Sequence, residues 1–243
     1  MTKERNDTMT NYAVILSGGV GTRMKMGSFP KQYLEVKKKP ILIYTLECFQ
    51  ETPEIDRIVI VAAKEWQNQI QEWVKQYRIT KFDCFASAGE SRQESIRNGL
   101  EMCMMTSKNE KDQVIIHDGV RPMVTGELIQ SCLGALLEHE GCMPVLPMND
   151  TIYQSSDGKS IDQLLERSTL YAGQAPEAFH LWKYARINRE TPERELAEVK
   201  GTSEIAYRCG MDVTLIPGDD RNFKITTQSD LERFRSLLGE ERE

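Results

Sequence analysis

A glycine-rich turn near the start of the chain carries residue types that bind phosphate groups. Residues 17–23 read Ser-Gly-Gly-Val-Gly-Thr-Arg and directly follow the apolar run Ala-Val-Ile-Leu. Glycines leave backbone N–H groups open to a polyphosphate, because no Cβ stands in the way. Arg23 and the later Lys31 can neutralise negative charge that develops during a transfer reaction. The segment therefore predicts nucleotide chemistry.

Two other phosphate-binding motifs do not fit this turn. A Walker loop requires Gly-Lys-Ser or Gly-Lys-Thr after a four-residue gap, and the turn has neither. A dinucleotide fingerprint requires a third glycine where this chain has Arg23 or Met24. The remaining alternative is an ordinary glycine-rich turn between a strand and a helix, which Arg23 and the Pro30-Lys31 pair disfavour.

Composition favours a soluble globular enzyme. The chain has 243 residues, of which 40% are hydrophobic and 28% charged, and no apolar run approaches the roughly 18 residues of a membrane span. The first ten residues are polar and lack the apolar centre of a signal peptide, so we expect a cytoplasmic protein that binds no membrane. A net charge of −6 argues against a nucleic-acid surface.

The cysteines and histidines show no metal-binding pattern. The six cysteines include no Cys-x-x-Cys pair, and the three histidines are far apart in sequence. We expect reduced thiols that lie mostly in the core.

Short apolar runs alternate with stretches of helical periodicity. This alternation predicts a mainly parallel sheet covered by helices on both faces, with ligands at the carboxyl ends of the strands. The predicted strands are 12–16, 57–62, 82–86, 114–117, 143–146 and 213–216. The predicted helices are 40–49, 65–77, 90–105, 126–139, 179–188, 203–209 and 228–238.

Three polar clusters follow predicted strands directly, at residues 17–23, 89–95 and 118–122. Because parallel strands end at the same edge of a sheet, we expect the clusters to share one crevice. The second cluster also fits a capped helix start, and the third also fits a surface turn with an ion pair.

Residues 148–170 interrupt the alternation. Asp157-Gly158 is a hairpin signal, and a hairpin cannot bury its apolar face alone. We expect a β-arm that projects and forms a dimer, with a peripheral hairpin as the alternative. Nearer the C-terminus, Lys224 precedes two threonines and a helix start, which suits either an anion site or a helix cap at Thr227.

Taken in order, these clusters resemble the cytidylyltransferases that join CTP to a polyol phosphate, acting on 2-C-methyl-D-erythritol 4-phosphate or on ribitol 5-phosphate. The resemblance runs from about residue 12 to 238 and implies an α/β fold: a single Rossmann-like nucleotidyltransferase domain over residues 1–243, with a mainly parallel central sheet and a projecting β-arm at about 148–170. The matching segments are 18–24, 30–34, 89–92, 117–122, 150–152, 173–176, 201–204 and 223–227.

The resemblance implies that the acceptor phosphate attacks the α-phosphorus of CTP and releases pyrophosphate, with Mg²⁺ as cofactor. The catalytic cations would be Arg23, Lys31 and Lys224. The nucleotide would be held by Ser17, Gly18, Gly19, Gly89, Arg92 and Ser95. The acceptor would be held by Asp118, Arg121, Thr151, Arg167 and Thr202, with Arg167 supplied by the partner's arm in a homodimer. For Arg167, an ion pair within the arm is the alternative.

Some positions depart from the family's usual pattern. Ser17-Gly18-Gly19 replaces the Ala-Ala-Gly of the methylerythritol enzymes and is closer to the ribitol type; Ala175 replaces a usual Thr, and Ser203 a usual Asp. Residues 92–100 and 144–151 look more like the methylerythritol branch. We therefore expect 2-C-methyl-D-erythritol 4-phosphate as the acceptor, with ribitol 5-phosphate as the alternative. Both isoprenoid precursors and cell-wall or capsule polymers stay open as the product's use.

Two further function classes remain to be separated. A sugar-1-phosphate nucleotidyltransferase using UTP or dTTP shares the Gly-Gly-x-Gly-Thr-Arg opening, but its longer chain and its Pro-Leu-Thr segment are absent here. A catalytically silent nucleotide-binding module is disfavoured by the retained cations at positions 23, 31, 121 and 224.

Overall fold

Twelve strands and eight helices are described in the computed structural model, which covers residues 9–19 and 29–239. The strands are β1 (Asn11–Leu16), β2 (Glu35–Val36), β3 (Lys39–Pro40), β4 (Arg57–Ala62), β5 (Phe82–Ser87), β6 (Gln113–Asp118), β7 (Gly141–Pro147), β8 (Tyr153–Gln154), β9 (Gln163–Leu164), β10 (Tyr171–Gly173), β11 (Glu177–His180) and β12 (Val213–Pro217). The helices are α1 (Ile41–Glu51), α2 (Lys64–Gln76), α3 (Arg92–Thr106), α4 (Gly126–Ala135), α5 (Leu181–Glu190), α6 (Glu193–Glu198), α7 (Thr202–Arg208) and α8 (Gln228–Leu237).

The central sheet begins with four parallel strands in the order β5-β4-β1-β6. The chain builds outward from β1 through β4 to β5 and then returns to place β6 on the other side of β1. The strand order therefore reverses beside β1, and a crevice at the carboxyl ends of β1 and β6 is expected at such a reversal. The predicted mainly parallel α/β fold is confirmed.

The remaining strands add antiparallel pairs. β11 pairs antiparallel with both β6 and β7, β10 pairs antiparallel with the end of β7, and β12 runs parallel to β7. The predicted helix from residue 179 is wrong at its start, because Phe179 and His180 belong to β11. Phe179 is fully buried between two strands, so packing decides its conformation rather than the periodicity that follows it.

Side-chain alternation along β1 divides the core between the two faces of the sheet. Ala13 and Ile15 pack in one cluster, with α1, α2 and α4, whereas Tyr12 and Val14 pack in the other, with α3, α5 and α7. A third cluster holds α8 against the turn after β6, and it includes Ile225. Both faces of the sheet are covered, as the alternation of strands and helices predicted.

Two further helices depart from the prediction by more than a few terminal residues. The helix predicted over 126–139 ends at Ala135, because the next residues form tighter turns whose N–H groups bond to carbonyls three residues back. Helix α6 follows Pro192 and was not predicted, since its six largely charged residues show no apolar face.

Residues 148–170 contain a short hairpin. β8 and β9 pair antiparallel as a separate two-stranded sheet, and Gly158 in the connecting turn has φ +69°, a conformation that favours glycine. Nearly all of the side chains between Tyr153 and Thr169 are exposed. That this hairpin is a dimer arm stays a prediction.

The described cysteines form no disulfides, and Cys103, Cys132 and Cys142 are buried. Among the helices in the described ranges, none is long and apolar enough to cross a membrane.

Candidate active site

A cavity of about 550 Å³, called here the first cavity, lies at the carboxyl ends of β1 and β6. Gly18 and Gly19 follow β1 along its wall, Asp118 ends β6, and the start of α3 closes a further side. The cavity therefore joins the three polar clusters that the sequence placed in one crevice. The other residues that line it are Leu16, Lys31, Gln32, Gly89, Glu90, Ser91, Arg92, Ser95, Val120 and Lys224.

Two buried side chains hold the glycine turn from behind. Gln32 Nε2 donates to the carbonyl oxygens of Ser17 and Gly19 at 2.7 and 2.9 Å, and the Tyr33 hydroxyl donates to Ser17 O at 2.9 Å. Because the carbonyl and N–H of a trans peptide point in opposite directions, the Gly18 N–H points away from Gln32. Neither glycine N–H has a protein acceptor among the described residues. The turn thus keeps donors available at the cavity.

Gly18 also packs too tightly for any other residue. A Cβ at this position would lie 2.4 Å from the Cβ of Ala88, in the segment after β5. Gln32 and Tyr33 were not predicted as site residues, although their place directly after Lys31 was a signal.

The segment after β5 is both a cavity wall and a capped helix start. Ser91 is the N-cap of α3, and its hydroxyl accepts from the Glu94 N–H at 3.0 Å. The Ser95 hydroxyl accepts from the Gly89 N–H at 2.9 Å and donates to Ser91 O. Both interpretations of this cluster hold, and its internal bonds fix the position from which Arg92 extends.

Asp118 is a buried carboxylate surrounded by three cations. Arg92 Nη2 lies 3.3 Å from Oδ1, while Arg121 Nε and Lys224 Nζ lie 3.3 and 3.1 Å from Oδ2. Burial alone would raise the pKa of Asp118, but the cations outweigh it and hold that pKa far below its usual range. Asp118 is therefore ionised at neutral pH and can only accept hydrogen bonds. The cluster is a buried ion network rather than a surface turn.

Backbone contacts fix Arg121 within this network. Its Nη1 donates to Asn222 O at 2.8 Å, and its own carbonyl oxygen lies 3.2 Å from His117 Nε2. Because a carbonyl only accepts, Nε2 carries the proton. His117 is fully buried, and burial lowers its pKa to about 3, so the ring is neutral. Asn222 Nδ2 in turn donates to Ala175 O at 2.6 Å.

Lys224 reaches Asp118 because its neighbour Ile225 is anchored. The Ile225 N–H donates to Val120 O at 2.9 Å, and the Ile225 side chain is buried against α8. Thr227 caps that helix, since its hydroxyl accepts from the Asp230 N–H, which confirms the cap interpretation.

A second cavity of about 540 Å³ adjoins the first. Arg92, Asp118 and Lys224 line both cavities and so form the seam between them. Arg121, Glu177, Thr202 and Ser203 add polar groups to the second cavity, whereas its far side is largely apolar, with Met143, Tyr207, Val213 and Leu215.

Glu177 is a buried acid of this cavity that was not predicted from the sequence. Its carboxylate accepts from the N–H and the hydroxyl of Ser203. Burial raises the pKa of Glu177, and the charge of Arg92 opposes that rise. An acidic residue directly after the Gly173–Pro176 motif was the available signal.

The predicted site residues that the structure describes fall into three groups. Most of them line a cavity, including Lys31 and Lys224, which share the first. Ser17 lines neither cavity, and its hydroxyl bonds to that of Tyr33 at 3.2 Å. Arg23 lies outside the described residues.

Thr151 and Arg167 form the third group. Both are exposed, and neither lines either cavity of its own chain. Arg167 Nη1 donates to the Asn149 carbonyl at 2.6 Å, a contact to the backbone rather than an ion pair. Their use at the site would require a second chain.

Comparisons with known proteins agree with the family resemblance of the sequence, both in sequence and in fold. Residues 11–240 match the family model described as IspD, 2-C-methyl-D-erythritol 4-phosphate cytidylyltransferase. A ribitol-5-phosphate cytidylyltransferase of Streptococcus agalactiae is 31% identical over 94% of this chain and 95% of its own length. A 2-C-methyl-D-erythritol 4-phosphate cytidylyltransferase of Rubrobacter xylanophilus is 38% identical over 93% and 94%.

Among solved structures, 4-diphosphocytidyl-2C-methyl-D-erythritol synthase from Anaerococcus prevotii aligns with a TM-score of 0.79 at 25% identity, covering 95% of this chain and 96% of that one. The chain therefore belongs to the 2-C-methyl-D-erythritol 4-phosphate cytidylyltransferase family, whose relatives include enzymes named for ribitol 5-phosphate, and it is a CTP-dependent nucleotidyltransferase.

Proposed function

We propose that this enzyme transfers CMP from CTP to 2-C-methyl-D-erythritol 4-phosphate and releases pyrophosphate. The observation that carries the proposal is the pair of adjoining cavities, which share Arg92, Asp118 and Lys224. Two substrates that exchange a group must meet at one place, and the seam provides cations where the reacting phosphorus would lie. The nucleotide occupies the first cavity and the acceptor the second.

In the first cavity, the glycine turn and Lys31 hold the triphosphate. The N–H groups of Gly18 and Gly19 donate to phosphate oxygens, and Lys31 and Lys224 approach from other elements. Arg23 adds a third cation by the family resemblance. These charges stabilise the negative charge that accumulates around the α-phosphorus as the bond to the leaving pyrophosphate breaks.

Gln32 offers a test of this nucleotide site. Gln32→Met should raise KM for CTP about 10-fold and leave KM for the acceptor within about twofold, because the turn loses the donors that set its direction. Steady-state kinetics with each substrate varied in turn measures both constants. Gln50→Met is the control, since Gln50 bonds to Thr80 and Lys81 and lines neither cavity. Equal increases in the two KM values would refute this role.

In the second cavity, the ionised Asp118 accepts hydrogen bonds from acceptor hydroxyls, and Arg121 and Thr202 complete the polar wall. The acceptor phosphate, with a second pKa of about 6, is already an anion at neutral pH and needs no protein base. One of its oxygens forms a bond to the α-phosphorus, the bond from that phosphorus to the bridging oxygen breaks, and pyrophosphate leaves with the electron pair.

Mg²⁺, which the family resemblance implies as cofactor, would be bound together with CTP and held mostly by the nucleotide phosphates. In the described ranges, no group of three or more His, Cys, Asp or Glu side chains could hold a metal ion. When bound there, Mg²⁺ neutralises charge on the phosphate oxygens.

The hairpin of residues 148–170 makes a homodimer. Tyr153, Ile161 and Leu164 expose more than half of their apolar side chains on it, and a two-stranded sheet cannot bury such residues alone. Thr151 and Arg167 lie on the same segment and reach the partner's acceptor, where the Arg167 guanidinium binds the phosphate in a bidentate manner.

Carboxylates introduced on the hairpin should dissociate the proposed homodimer. Ile161→Asp combined with Leu164→Asp should give monomers at concentrations where the wild type sediments as a dimer, because a buried unpaired carboxylate opposes association. Sedimentation velocity measures the outcome. Leu137→Asp is the control, since Leu137 is 83% exposed and lies just after α4. A double variant that sediments like the wild type would contradict the dimer.

Ribitol 5-phosphate is the second candidate acceptor, because relatives that match over 94% of the chain are named for it and Ser17-Gly18-Gly19 is closer to that branch. Pyrophosphate release should be measured with purified protein, CTP and Mg²⁺ against both acceptors, other pentitol phosphates and glycerol phosphate. UTP and dTTP in place of CTP test the sugar-phosphate alternative. Absence of turnover with every polyol phosphate would refute the proposal and favour a silent binding module.

A further inference from the structure

Glu177 is a buried acid of the second cavity that the proposed reaction does not use. It opens β11 and pairs in register with Ile116, two residues before Asp118, so it approaches the seam from the neighbouring strand. Its side chain is held by Ser203, whose N–H donates to Oε2 at 2.9 Å and whose hydroxyl donates to the same oxygen. These bonds tie the start of α7 to the central sheet.

Thr202 holds Arg92 from the start of α7. Arg92 Nη1 lies 2.6 Å from Thr202 Oγ1, and because a guanidinium has no acceptor, the hydroxyl oxygen must accept this bond. Thr202 directly precedes Ser203, so the bonds from Ser203 to Glu177 also fix the position from which Thr202 holds Arg92. Arg92 is thus held on one side by Asp118 and on the other by Thr202, whose position depends on Glu177.

Because of these contacts, Asp118 is not alone in holding Arg92. Asp118 alone would have to hold Arg92, Arg121 and Lys224, all within 3.3 Å. The Thr202 hydroxyl, on the wall that Glu177 fixes through Ser203, takes part of the hold on Arg92. One Asp118 oxygen then bonds mainly to Arg121 and Lys224, and the other is shared between Arg92 and an incoming hydroxyl.

We infer that Glu177 is a positioning residue for the acceptor: its bonds to Ser203 fix the start of α7, and its charge acts together with the Thr202 hydroxyl to hold Arg92 at the seam. The inference rests on the proposed function, since it concerns the proposed acceptor cavity. The alternative is that Glu177 only joins β11 to α7.

Three variants separate these two roles. Glu177→Gln keeps the size of the side chain and an oxygen for Ser203 but removes the charge that faces Arg92. Ser203→Ala is the matched control, because it removes one bond of the same junction and leaves the Glu177 carboxylate in place. Glu177→Gln with Ser203→Asp returns a carboxylate to the same pair of side chains, since the amide introduced at position 177 can donate to it.

The inference predicts a selective kinetic effect. In Glu177→Gln, KM for the acceptor should rise about 10-fold while KM for CTP changes by less than about threefold, because Asp118 still holds Arg92 beside the first cavity. Ser203→Ala should leave the acceptor KM within about threefold, and the double variant should recover most of the loss. Thermal unfolding of each variant shows whether the junction itself is weakened.

Thr202→Val provides an independent measurement if Glu177→Gln does not fold. It removes the hydroxyl link and keeps the shape of the side chain, so it should raise the acceptor KM selectively and to a similar extent. An unchanged acceptor KM in either variant, or no recovery in a double variant that regains its melting temperature, would overturn the inference alone. A wild type that uses no polyol phosphate would overturn the proposed function as well.

Discussion

Replacing Lys224 with alanine should lower kcat by about 100-fold or more, equivalent to about 2.7 kcal/mol of transition-state stabilisation. Lys224 lines both cavities and lies 3.1 Å from Asp118, so on the proposed function its charge is beside the α-phosphorus when the bond breaks. Lys31→Ala should have a similar effect from the other wall of the first cavity. Rates of pyrophosphate release at saturating substrates measure both.

The fold should survive these changes, because Asp118 keeps Arg92 and Arg121 as partners after Lys224 is removed. Lys183→Ala is the control: Lys183 is a partly exposed lysine that pairs with Glu140 and lines neither cavity. It should retain a near-normal rate. Near-normal rates in Lys224→Ala and Lys31→Ala would remove the proposed catalytic roles of both lysines.

Asp118→Asn should lower kcat/KM for the acceptor by about 100-fold or more, because three cations lose the carboxylate that holds them in position. The same change should reduce the free energy of unfolding by an amount on the order of 2 kcal/mol, less than for a fully buried pair since Arg92 and Lys224 are partly exposed. Kinetics and urea unfolding at pH 7 measure the two effects.

Asp112→Asn is a closely matched control. Asp112 is also buried, directly before β6, where it accepts from the Thr10 N–H at 2.7 Å and the Ser107 hydroxyl at 2.6 Å. Its loss should lower stability but leave the acceptor kcat/KM within about threefold. A comparable loss of kcat/KM in both variants would show that Asp118 acts through general stability.

The contribution of Asp118 to the free energy of unfolding should decrease as the pH falls. Since the cations hold the pKa of folded Asp118 far below that of the unfolded chain, the carboxylate stabilises the fold fully above about pH 5. That contribution is lost as pH falls below about 4 toward the folded pKa. The difference in unfolding free energy between wild type and Asp118→Asn should therefore shrink in acid. A difference that grows below about pH 4 would contradict the ion network.

The parallel half of the sheet and its helices could be predicted because their local patterns agree with their burial. β4 has the predicted bounds, since its apolar run is buried between neighbouring strands on both sides. β11 could not be predicted in the same way, because Phe179 and His180 lead into α5 without a break in the periodicity. Only its pairing with β6 and β7, a non-local contact, makes this segment a strand.

At the site, the cations and the glycine turn could be predicted from sequence, but the groups that hold them could not. Lys31 and Lys224 stand beside recognisable motifs, whereas Gln32, Asn222 and Glu177 act through buried hydrogen bonds to residues distant in sequence. Such bonds depend on the tertiary arrangement, so spacing along the chain does not reveal them. Thr151 and Arg167 depend on a second chain and stay predictions.

The central claim is that nucleotide and acceptor meet at the seam formed by Arg92, Asp118 and Lys224. A crystal structure with a non-hydrolysable CTP analogue, Mg²⁺ and 2-C-methyl-D-erythritol 4-phosphate tests it most directly. We expect the triphosphate along Gly18 and Gly19, and the acceptor in the second cavity with its phosphate facing the α-phosphorus beside Lys224. A nucleotide bound in the second cavity, or an α-phosphorus remote from Lys31 and Lys224, would contradict the account.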